Sequence, residues 1–568
     1  MKFFANRAFF LLMMLLAATT AAAQQPTPQT RDDSISGRVV NEAGQPIAGA
    51  SISLSVMGGN LGQRTSTDNE GNFKIQGLDG GIYRIFLSAS GYVTQIPNSS
   101  YPTYRPGDKV ELTMIKGGVI AGNVTNIAGE TLVNIQVHVV LVRDAEGNRI
   151  TVAPFLQPKF TDDRGYYRFW SLTPGTYVIS AGGPGQYFGM VNPFANDAMT
   201  YAPSSTRDTA VEVMARSNQE ATADIRYRGE RGHSVSGKVS GVAPPLSFRP
   251  FVGLTDVESR MSVTTMPVTN IEKTFQLDGI ADGEYEIVAS AGGGPKDDFL
   301  SSSPRRISVH GADVTGLDLA LAPMASIEAR LNLEADAKLN CGRRRDTAMR
   351  ETMITLQRSQ PQDKSVKDKP SEADVPALTS PSYDTVANDK GEVRFRNLAP
   401  ATYRLVVRLP AAGWYLRDLS LAKPGSNIAR TGIALKSGEK ISGVAIAVAE
   451  GAASLRGHVT TEEQTLPANL RVYLVPGERE HADNPLRFFE ESVAADGTFA
   501  VGNLAPGKYW LIAQPAERVD ATTFKSSRTD NDFRAKLLKD AAAANKEITF
   551  KPCERTADYE FRYLSAKP

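Results

Sequence analysis

Apolar and polar residues alternate in short runs along the chain, and these runs recur as one repeated unit. In each unit, two apolar residues spaced two apart precede a turn of Gly, Pro or Asp, and a tyrosine then begins a second alternating run. Alternation with period two places the apolar residues on one face of a strand. Each unit is therefore predicted to be a β-hairpin whose second strand begins with a buried tyrosine. The five copies are 71–83, 165–177, 273–285, 391–403 and 497–509.

The spacing is constant, because the first position lies 12 residues before the tyrosine in every copy. A start strand with a small residue at its centre precedes each hairpin, and another alternating strand follows it. Several short strands per roughly 100 residues, with turn signals between them, are typical of a β-sandwich. The predicted fold is all-β: a tandem array of five small immunoglobulin- or transthyretin-like β-sandwich modules. One short helix is predicted near the C-terminus, where residues 532–545 are rich in strong helix formers.

The repeats divide the chain into five modules joined by junctions of only a few residues, which favours a semi-rigid rod or arc. Besides the helical insertion at 532–545, two segments interrupt the modules. One is an aromatic, Gly- and Pro-rich insertion at 183–206, and the other is a Ser-, Pro- and Lys-rich insertion at 359–382, predicted to be mobile. The predicted modules are module 1 (34–115), module 2 (118–228), module 3 (233–322), module 4 (325–449) and module 5 (452–564).

The N-terminus has the pattern of a secretory signal peptide. Lys2 and Arg7 precede an apolar run at 8–18, and Ala21 and Ala23 fit the small-residue cleavage pattern. A helix of that length is too short to span a hydrocarbon core of about 30 Å. We therefore expect a cleaved signal peptide at 1–23, an extended linker at 24–33 and no transmembrane segment afterwards. The mature protein is expected to be periplasmic, extracellular or associated with the cell surface.

Module 1 resembles the carboxypeptidase regulatory-like domain. The resemblance rests on the start strand and turn at 36–50, on the turn and strand at 68–73, and on 81–83 at the start of the second hairpin strand. Module 2 also matches, although Thr131 and Leu132 stand where module 1 has Gln45 and Pro46. Modules 3 to 5 keep the start strand and the hairpin but differ between them. The resemblance implies a prealbumin-like sandwich related to starch-binding folds, used as an accessory module in many proteins.

Composition and motifs point away from several classes of function. The chain has 568 residues, and Lys+Arg 63 against Asp+Glu 62 leaves a formal charge of +1, which offers no global attraction for nucleic acid. None of the five histidines stands in a zinc-enzyme motif, and no nucleophile elbow or phosphate-binding loop is present. No catalytic residue, metal site or cofactor is predicted. His138 alternates with Val137 and Val139, so it is expected on the outer face of its strand.

Cys341 and Cys553 are the only cysteines. In an exported protein an isolated pair is often a disulfide, and this one would join module 4 to module 5. The bridge would be worth roughly 4–5 kcal/mol by the loop-entropy relation. The alternative is two buried free thiols.

One candidate ligand platform is visible in the hairpin of module 2. Tyr166, Arg168 and Trp170 occupy the outward positions of the first hairpin strand, close in sequence to the aromatic insertion that contains Tyr187, Phe188 and the run 194–201. Flat aromatic side chains beside polar ones can bind sugar rings or a protein partner. The alternative is that the neighbouring module or the 183–206 insertion covers them.

These observations favour an exported, non-catalytic binding, adhesion or scaffold protein of the cell envelope. Carbohydrate binding is the first specific hypothesis, and the partner would be a polysaccharide or an envelope protein. Two alternatives stay open: a structural spacer that presents a partner, and an enzyme whose site is assembled between modules.

Overall fold

The chain was analysed as a computed structural model. The predicted signal peptide, residues 24–32 of the linker and the predicted 359–382 insertion lie outside the residues it describes. No helix within the described residues has the length and apolar character needed to cross a membrane. The described residues are 33–57, 61–94, 102–150, 156–184, 192–241, 249–258, 262–269, 272–292, 299–339, 341, 348–358, 384–421, 427–461, 466–517 and 525–563.

Module 1 folds into two facing sheets. Its strands are β1 (Ile35–Val40), β2 (Ser51–Val56), β3 (Leu61–Ser66), β4 (Asn72–Ile75), β5 (Tyr83–Ser88), β6 (Tyr92–Thr94), β7 (Thr103–Tyr104) and β8 (Lys109–Lys116). The strand order is β4-β1-β8-β6 in one sheet and β3-β2-β5-β7 in the other. The start strand β1 pairs antiparallel with β4 and parallel with β8. The first and last strands of the module therefore lie side by side.

Module 2 repeats this plan with additional short strands. They are β9 (Gly118–Thr125), β10 (Gln136–Arg143), β11 (Lys159–Phe160), β12 (Tyr166–Leu172), β13 (Gly175–Ala181), β14 (Thr200–Tyr201), β15 (Val213–Ala215), β16 (Glu220–Thr222) and β17 (Ile225–Arg226). One sheet has the order β12-β9-β16, with β17 also on β9. The other has the order β11-β10-β13-β14, with β15 also on β13.

Module 3 differs because its two sheets are continuous. Its strands are β18 (His233–Gly241), β19 (Phe251–Asp256), β20 (Ser262–Pro267), β21 (Thr274–Ile280), β22 (Gly283–Ala291), β23 (Leu300–Ser301), β24 (Arg305–Val309) and β25 (Val314–Pro323). The short strand β23 pairs with β22 on one side and β25 on the other. This joins the order β20-β19-β22 to the order β25-β18-β21 in a single bent sheet.

Modules 4 and 5 return to two separate sheets each. Module 4 contains β26 (Ala325–Glu334), β27 (Met353–Arg358), β28 (Asp384–Val386), β29 (Glu392–Leu398), β30 (Ala401–Arg408), β31 (Trp414–Leu421), α1 (Ile428–Thr431), β32 (Ile433–Leu435) and β33 (Lys440–Glu450). Module 5 contains β34 (Ala453–Thr460), β35 (Leu470–Pro476), β36 (Phe489–Ser492), β37 (Thr498–Leu504), β38 (Gly507–Pro515), α2 (Asn531–Ala544), β39 (Glu547–Phe550) and β40 (Arg555–Arg562), with 3₁₀ turns at Arg479–His481 and Pro485–Arg487. The strand orders are β29-β26-β33-β31 and β28-β27-β30-β32 in module 4, and β37-β34-β40 and β36-β35-β38-β39 in module 5.

Each module has its own hydrophobic core of buried aliphatic and aromatic residues. A smaller sixth cluster forms where α2 packs on β35 and β38, through Phe533, Leu537 and Ala541. This helix begins at Asp530, whose carboxylate accepts the Phe533 N–H at 2.9 Å and so satisfies one free donor of the first turn. The predicted all-β array of five sandwiches with a helix near the C-terminus is confirmed.

The repeat tyrosine makes the same hydrogen bond in all five modules. Its ring is buried in the core, while its hydroxyl donates to the backbone carbonyl four residues earlier at 2.7–2.9 Å. The bond closes the hairpin turn on the strand that follows it. Burial raises the pKa of Tyr177, Tyr285 and Tyr509, so the hydroxyl remains a donor.

At two further positions that are equivalent in all five modules, the backbone limits which residue can stand there. A Cβ built on the central glycine of the start strand would overlap a backbone carbonyl of the last strand in modules 1, 3 and 5, and the carbonyl of Ala223, between β16 and β17, in module 2. Module 4 has Ala329 at this position. The residue before the last apolar position of the hairpin's first strand has φ between 54° and 74° in every module. Gly and Asn adopt such angles readily, and serine is the exception. The five residues with this positive φ are Gly77, Ser171, Gly279, Asn397 and Asn503.

The array turns back on itself, because module 1 contacts module 4. Arg84 on β5 forms an ion pair of 2.6 Å with Asp384 on β28. Arg105 donates through Nη2 to the carbonyl of Leu409 at 2.9 Å and to that of Glu351 at 3.2 Å. The arrangement is thus a closed arc rather than an open rod.

Modules 4 and 5 are joined covalently and by hydrogen bonds. Cys341 and Cys553 form a disulfide with their Cα atoms 4.8 Å apart, across a sequence separation of 212. The side-chain amide of Asn503 donates to the carbonyls of Ala411 at 3.0 Å and Trp414 at 2.7 Å. These contacts hold the two modules in one relative orientation.

Replacing the repeat tyrosine of module 4 is expected to weaken that module selectively. In Tyr403→Phe the core keeps its ring, but the carbonyl of Ala399 loses its donor, which costs about 1 kcal/mol. Amide hydrogen exchange in β29 and β30 is expected to be about fivefold faster. Tyr92→Phe is the matched control, and unchanged exchange in Tyr403→Phe would contradict the role given to the hydroxyl.

Breaking the contact between modules 1 and 4 is expected to open the arc. The double variant Arg84→Ala/Arg105→Ala removes the ion pair and both carbonyl contacts. Small-angle X-ray scattering is expected to show a larger radius of gyration. Arg64→Ala/Lys74→Ala removes the same charge from exposed positions of module 1 and serves as the control. Identical scattering from both variants would rule out a closed arc held by these arginines.

Candidate binding face on module 2

Strand β12 presents three residues on the outer face of its sheet. Tyr166, Arg168 and Trp170 alternate with the buried core residues Tyr167 and Phe169. Trp170 is 59% exposed, and Tyr166 is partly buried. The structure therefore places the three predicted platform residues together on one face, and neither a neighbouring module nor the described part of the insertion covers the indole.

A lysine that the sequence analysis missed holds the indole in place. The Nζ atom of Lys159 lies 2.8 Å from the centroid of the Trp170 ring, and the same ammonium donates to the Arg168 carbonyl at 2.9 Å. Burial, and secondly the charge of Arg168, lower the pKa of Lys159. A cation over an indole face is a favourable electrostatic contact. One face of the ring is thus occupied by the ammonium, and the ring orientation is fixed.

The polar groups of the face come from the adjoining strands. Arg168 bonds one carboxylate oxygen of Glu220 on β16 through Nε at 3.1 Å and Nη2 at 2.9 Å. Strand β9 lies between the two residues: Arg168 is in register with the buried Ala121, and Glu220 is in register with Val119. Both side chains are more than a third exposed, so they remain accessible to hydroxyl groups of a ligand.

The same outward position differs in chemistry in the other modules. This position lies five residues after the first position of the repeat. Module 2 has an aromatic residue there, and the other four modules do not. The equivalent residues are Gln76, Trp170, Asp278, Arg396 and Gly502. The indole is therefore a property of one module and not of the shared framework.

The aromatic insertion belongs to the opposite sheet of module 2. Tyr201 pairs with Ser180 on β13, and Phe194 packs edge-on against Tyr227 with ring centroids 5.4 Å apart. All seven residues of β13 are buried. Residues 194–201, which are close in sequence to the three platform residues, therefore pack on the sheet of β13 and not on the Trp170 face. Tyr187 and Phe188 lie outside the described residues.

His138 lies on the outer face of β10, as predicted, but the side chain is partly covered there. It pairs with Ser180, whose hydroxyl contacts the Met199 sulfur of the insertion. The His138 Nε2 atom is inaccessible to solvent and has no hydrogen-bond partner among the described residues. Burial lowers the pKa of His138 to about 4, so the imidazole is neutral.

Within the described residues, one group of side chains has the spacing of metal ligands. Atoms of Glu478, Glu480 and His481 lie within 4.8 Å of one another. Glu478 already accepts the Lys508 N–H at 3.1 Å and forms an ion pair with Arg487 at 3.6 Å. His481 in turn pairs with Glu478 at 3.3 Å and with Glu480 at 3.6 Å, so contacts within the protein account for the proximity of these three side chains without a metal ion.

The comparisons with known proteins bear first on module 1. Residues 34–113 match the model of the carboxypeptidase regulatory-like domain. The match covers 80 of the 568 residues, so it concerns module 1 and not the whole chain. Its position coincides with the sandwich formed by β1 to β8 and with the segment whose sequence resembles that family.

Curated relatives match about a quarter of the chain. Serine-aspartate repeat-containing protein F of Staphylococcus epidermidis is 25% identical over 179 residues, covering 26% of this chain and 10% of that protein. Serine-aspartate repeat-containing protein D of Staphylococcus aureus strain Newman is 27% identical over 171 residues, covering 25% of this chain and 12% of that protein. The matched region is thus about a tenth of the length of these relatives.

Solved structures with similarity include two pilins. The minor pilin of Streptococcus agalactiae aligns with 34% of this chain and 95% of its own, at 13% identity and a TM-score of 0.19. A shaft pilin of Lactobacillus rhamnosus GG aligns with 37% of this chain and 99% of its own, at 8% identity and a TM-score of 0.17. TM-scores this low support no conclusion about function.

The stability of module 2 is expected to decrease as the pH is lowered, because of His138. The unfolded chain binds a proton near pH 6.5, whereas the folded module resists protonation until about pH 4. Stability is therefore full above pH 6.5 and decreases below it, by about 2 kcal/mol at pH 5. Hydrogen exchange in β10 and β13, corrected for the intrinsic rate, measures this change between pH 7 and 5.

Two variants isolate the effect of the buried imidazole. His138→Leu is expected to remove the pH dependence in β10 and β13, whereas His310→Leu changes an exposed residue of module 3 and is expected to leave it intact. The same pH profile in wild type and His138→Leu would show that another group is responsible.

Proposed function

We propose that this chain is an exported, non-catalytic scaffold of the cell envelope that binds a polysaccharide through the Trp170 face of module 2. The observation that carries the proposal is the largely exposed indole of Trp170, held on a rigid sheet by Lys159 at a position where the other modules have no aromatic residue. Exposed aromatic residues fixed in this way are typical of binding surfaces.

The chemistry of the face suits a sugar ring. The indole surface that Lys159 leaves uncovered can pack against the apolar C–H face of a pyranose, while Arg168 and Glu220 offer a donor and an acceptor to ring hydroxyls. Because Lys159 fixes the ring orientation, little rotamer entropy is lost on binding. These polar side chains are already paired with each other, which favours binding over acid–base chemistry.

Export and a scaffold role have separate support. Structural disulfides persist in oxidising compartments, and Cys341–Cys553 joins two modules. The contact between Arg105 and the carbonyls of module 4 gives a compact array rather than an extended spacer. The five modules would therefore hold the module 2 face in a fixed position relative to the rest of the protein.

Polysaccharide binding by the mature protein tests the proposal. A glycan array followed by pull-down with insoluble polysaccharides is expected to identify a bound glycan. Trp170→Ala is expected to weaken that binding at least tenfold, because the stacking surface is lost. Phe251→Ala is the matched control, since it removes an exposed aromatic residue from β19 of module 3.

Three results would count against this role. Absence of glycan binding by the wild type, with capture of an envelope protein that depends on Trp170, would replace the polysaccharide with a protein partner. Equal binding by wild type and Trp170→Ala would remove the face from the proposal. Turnover of a glycan by the mature protein would show an enzyme.

A further inference from the structure

The charges of the Trp170 face do not cancel. Arg168 is balanced by Glu220, because it bonds one carboxylate oxygen through Nε at 3.1 Å and Nη2 at 2.9 Å. Lys159 donates to the Arg168 carbonyl at 2.9 Å and lies over the indole, but no carboxylate of the described residues forms an ion pair with it. Two cations and one carboxylate thus leave one positive charge beside the indole.

The undescribed segments nearest in sequence have no acidic side chain that could balance this charge. Residues 151–155, which precede β11, are Thr, Val, Ala, Pro and Phe. Residues 185–191 of the insertion are Gly, Gln, Tyr, Phe, Gly, Met and Val. Neither segment contains Asp or Glu, so neither can pair with the ammonium of Lys159.

The cation is as specific to module 2 as the indole is. Lys159 pairs with Val137, which lies four residues before Leu141, the strand partner of the repeat tyrosine. At the same register position, the other modules have no cationic residue. Lysine and tryptophan therefore occur together in one module. The residues at this position in modules 1 to 5 are Thr65, Lys159, Met266, Thr385 and Glu491.

The environment of Lys159 disfavours its charge. Burial, and secondly the charge of Arg168, lower the pKa of the Lys159 amine. A negative group close to Lys159 would oppose both effects, because it attracts the ammonium and balances the neighbouring guanidinium. An anionic ligand therefore gains an attraction at this face that a neutral ligand lacks.

The two cations lie on the same side of the indole. Arg168 is two residues before Trp170 on the exposed side of β12, and the ammonium of Lys159 lies at the Arg168 carbonyl. The Nη1 atom of Arg168 has no partner among the described residues. A substituent that points from a stacked sugar toward Arg168 therefore approaches a free guanidinium N–H and the charge of Lys159 together. Hydrogen bonds between ionised groups are the strong ones.

We propose that the glycan bound at the Trp170 face is acidic, and that Lys159 and Arg168 select its carboxylate or sulfate groups. This inference rests on the proposed function, because a sugar packed on the indole presents the anionic group. Lys159 acts as a point charge, so it attracts either group, whereas a neutral polysaccharide offers it no counter-charge.

Matched polysaccharides that differ only in charge test this preference on the mature protein. The probes are alginate and polygalacturonate, each compared with a form whose carboxyl groups are reduced to alcohols, and dextran sulfate compared with dextran. At least one acidic polymer is expected to bind at least tenfold more tightly than its neutral counterpart. The difference is expected to shrink as sodium chloride is added, because salt screens the attraction. The carboxylate and sulfate pairs show which group is bound.

Variants assign the preference to Lys159. Lys159→Met keeps an unbranched apolar side chain against the indole but removes the charge, so the acidic and neutral polymers are expected to bind within twofold of each other. Lys159→Arg is expected to retain the preference. Lys74→Met removes an exposed lysine from β4 of module 1 and is the matched control, with the preference of the wild type expected.

The outcomes separate this inference from the proposed function. Trp170-dependent binding of a neutral glycan, with equal or weaker binding of the acidic polymers, would overturn the inference and leave the proposed function in place. A preference for acidic polymers that persists in Lys159→Met would also overturn the role given to this residue. Absence of binding to any glycan, neutral or acidic, would overturn both proposals.

Discussion

Every module depends on a start strand that is paired on both sides. It runs antiparallel to the first strand of the hairpin and parallel to the last strand of the module, so each sandwich is closed between its first and last residues. This close approach favours a small central residue such as Gly37. The repeat tyrosine then anchors the second strand of the hairpin by bonding the carbonyl four residues earlier. These two constraints explain why glycine and tyrosine recur while the loops between them vary.

The framework leaves the outward positions free to differ between modules. The fifth position after the start of the repeat is Trp170 in module 2 and Arg396 in module 4. The inward neighbours Phe169 and Phe395 are both core residues. Because alternate residues of a strand face opposite sides, the outward side chain can change without affecting the core. One duplicated sandwich can therefore present an aromatic side chain in one copy and a charged side chain in another.

The contacts between modules use backbone groups to a notable extent. Arg105 bonds two carbonyls of module 4, and Asn503 of module 5 bonds two others through its side-chain amide. Asn503 is also the residue of module 5 that has the positive φ in the hairpin, so one residue serves both the hairpin and the interface. With the disulfide between modules 4 and 5, these contacts convert a linear repeat into a closed arc.

Local alternation in the sequence was sufficient to determine the strands, the five cores, the place of the tyrosine ring and the outward direction of Trp170. These features depend on neighbours within a few residues, where the period of the pattern directly reports the buried face. Tertiary structure alone decided that Lys159 lies over the indole, that residues 194–201 cover β13, that β23 joins the sheets of module 3 and that Arg105 reaches module 4. In these cases the partner is distant in the chain and is often a backbone carbonyl or a strand edge. Every residue carries such groups, so no pattern of side chains identifies the one that is contacted.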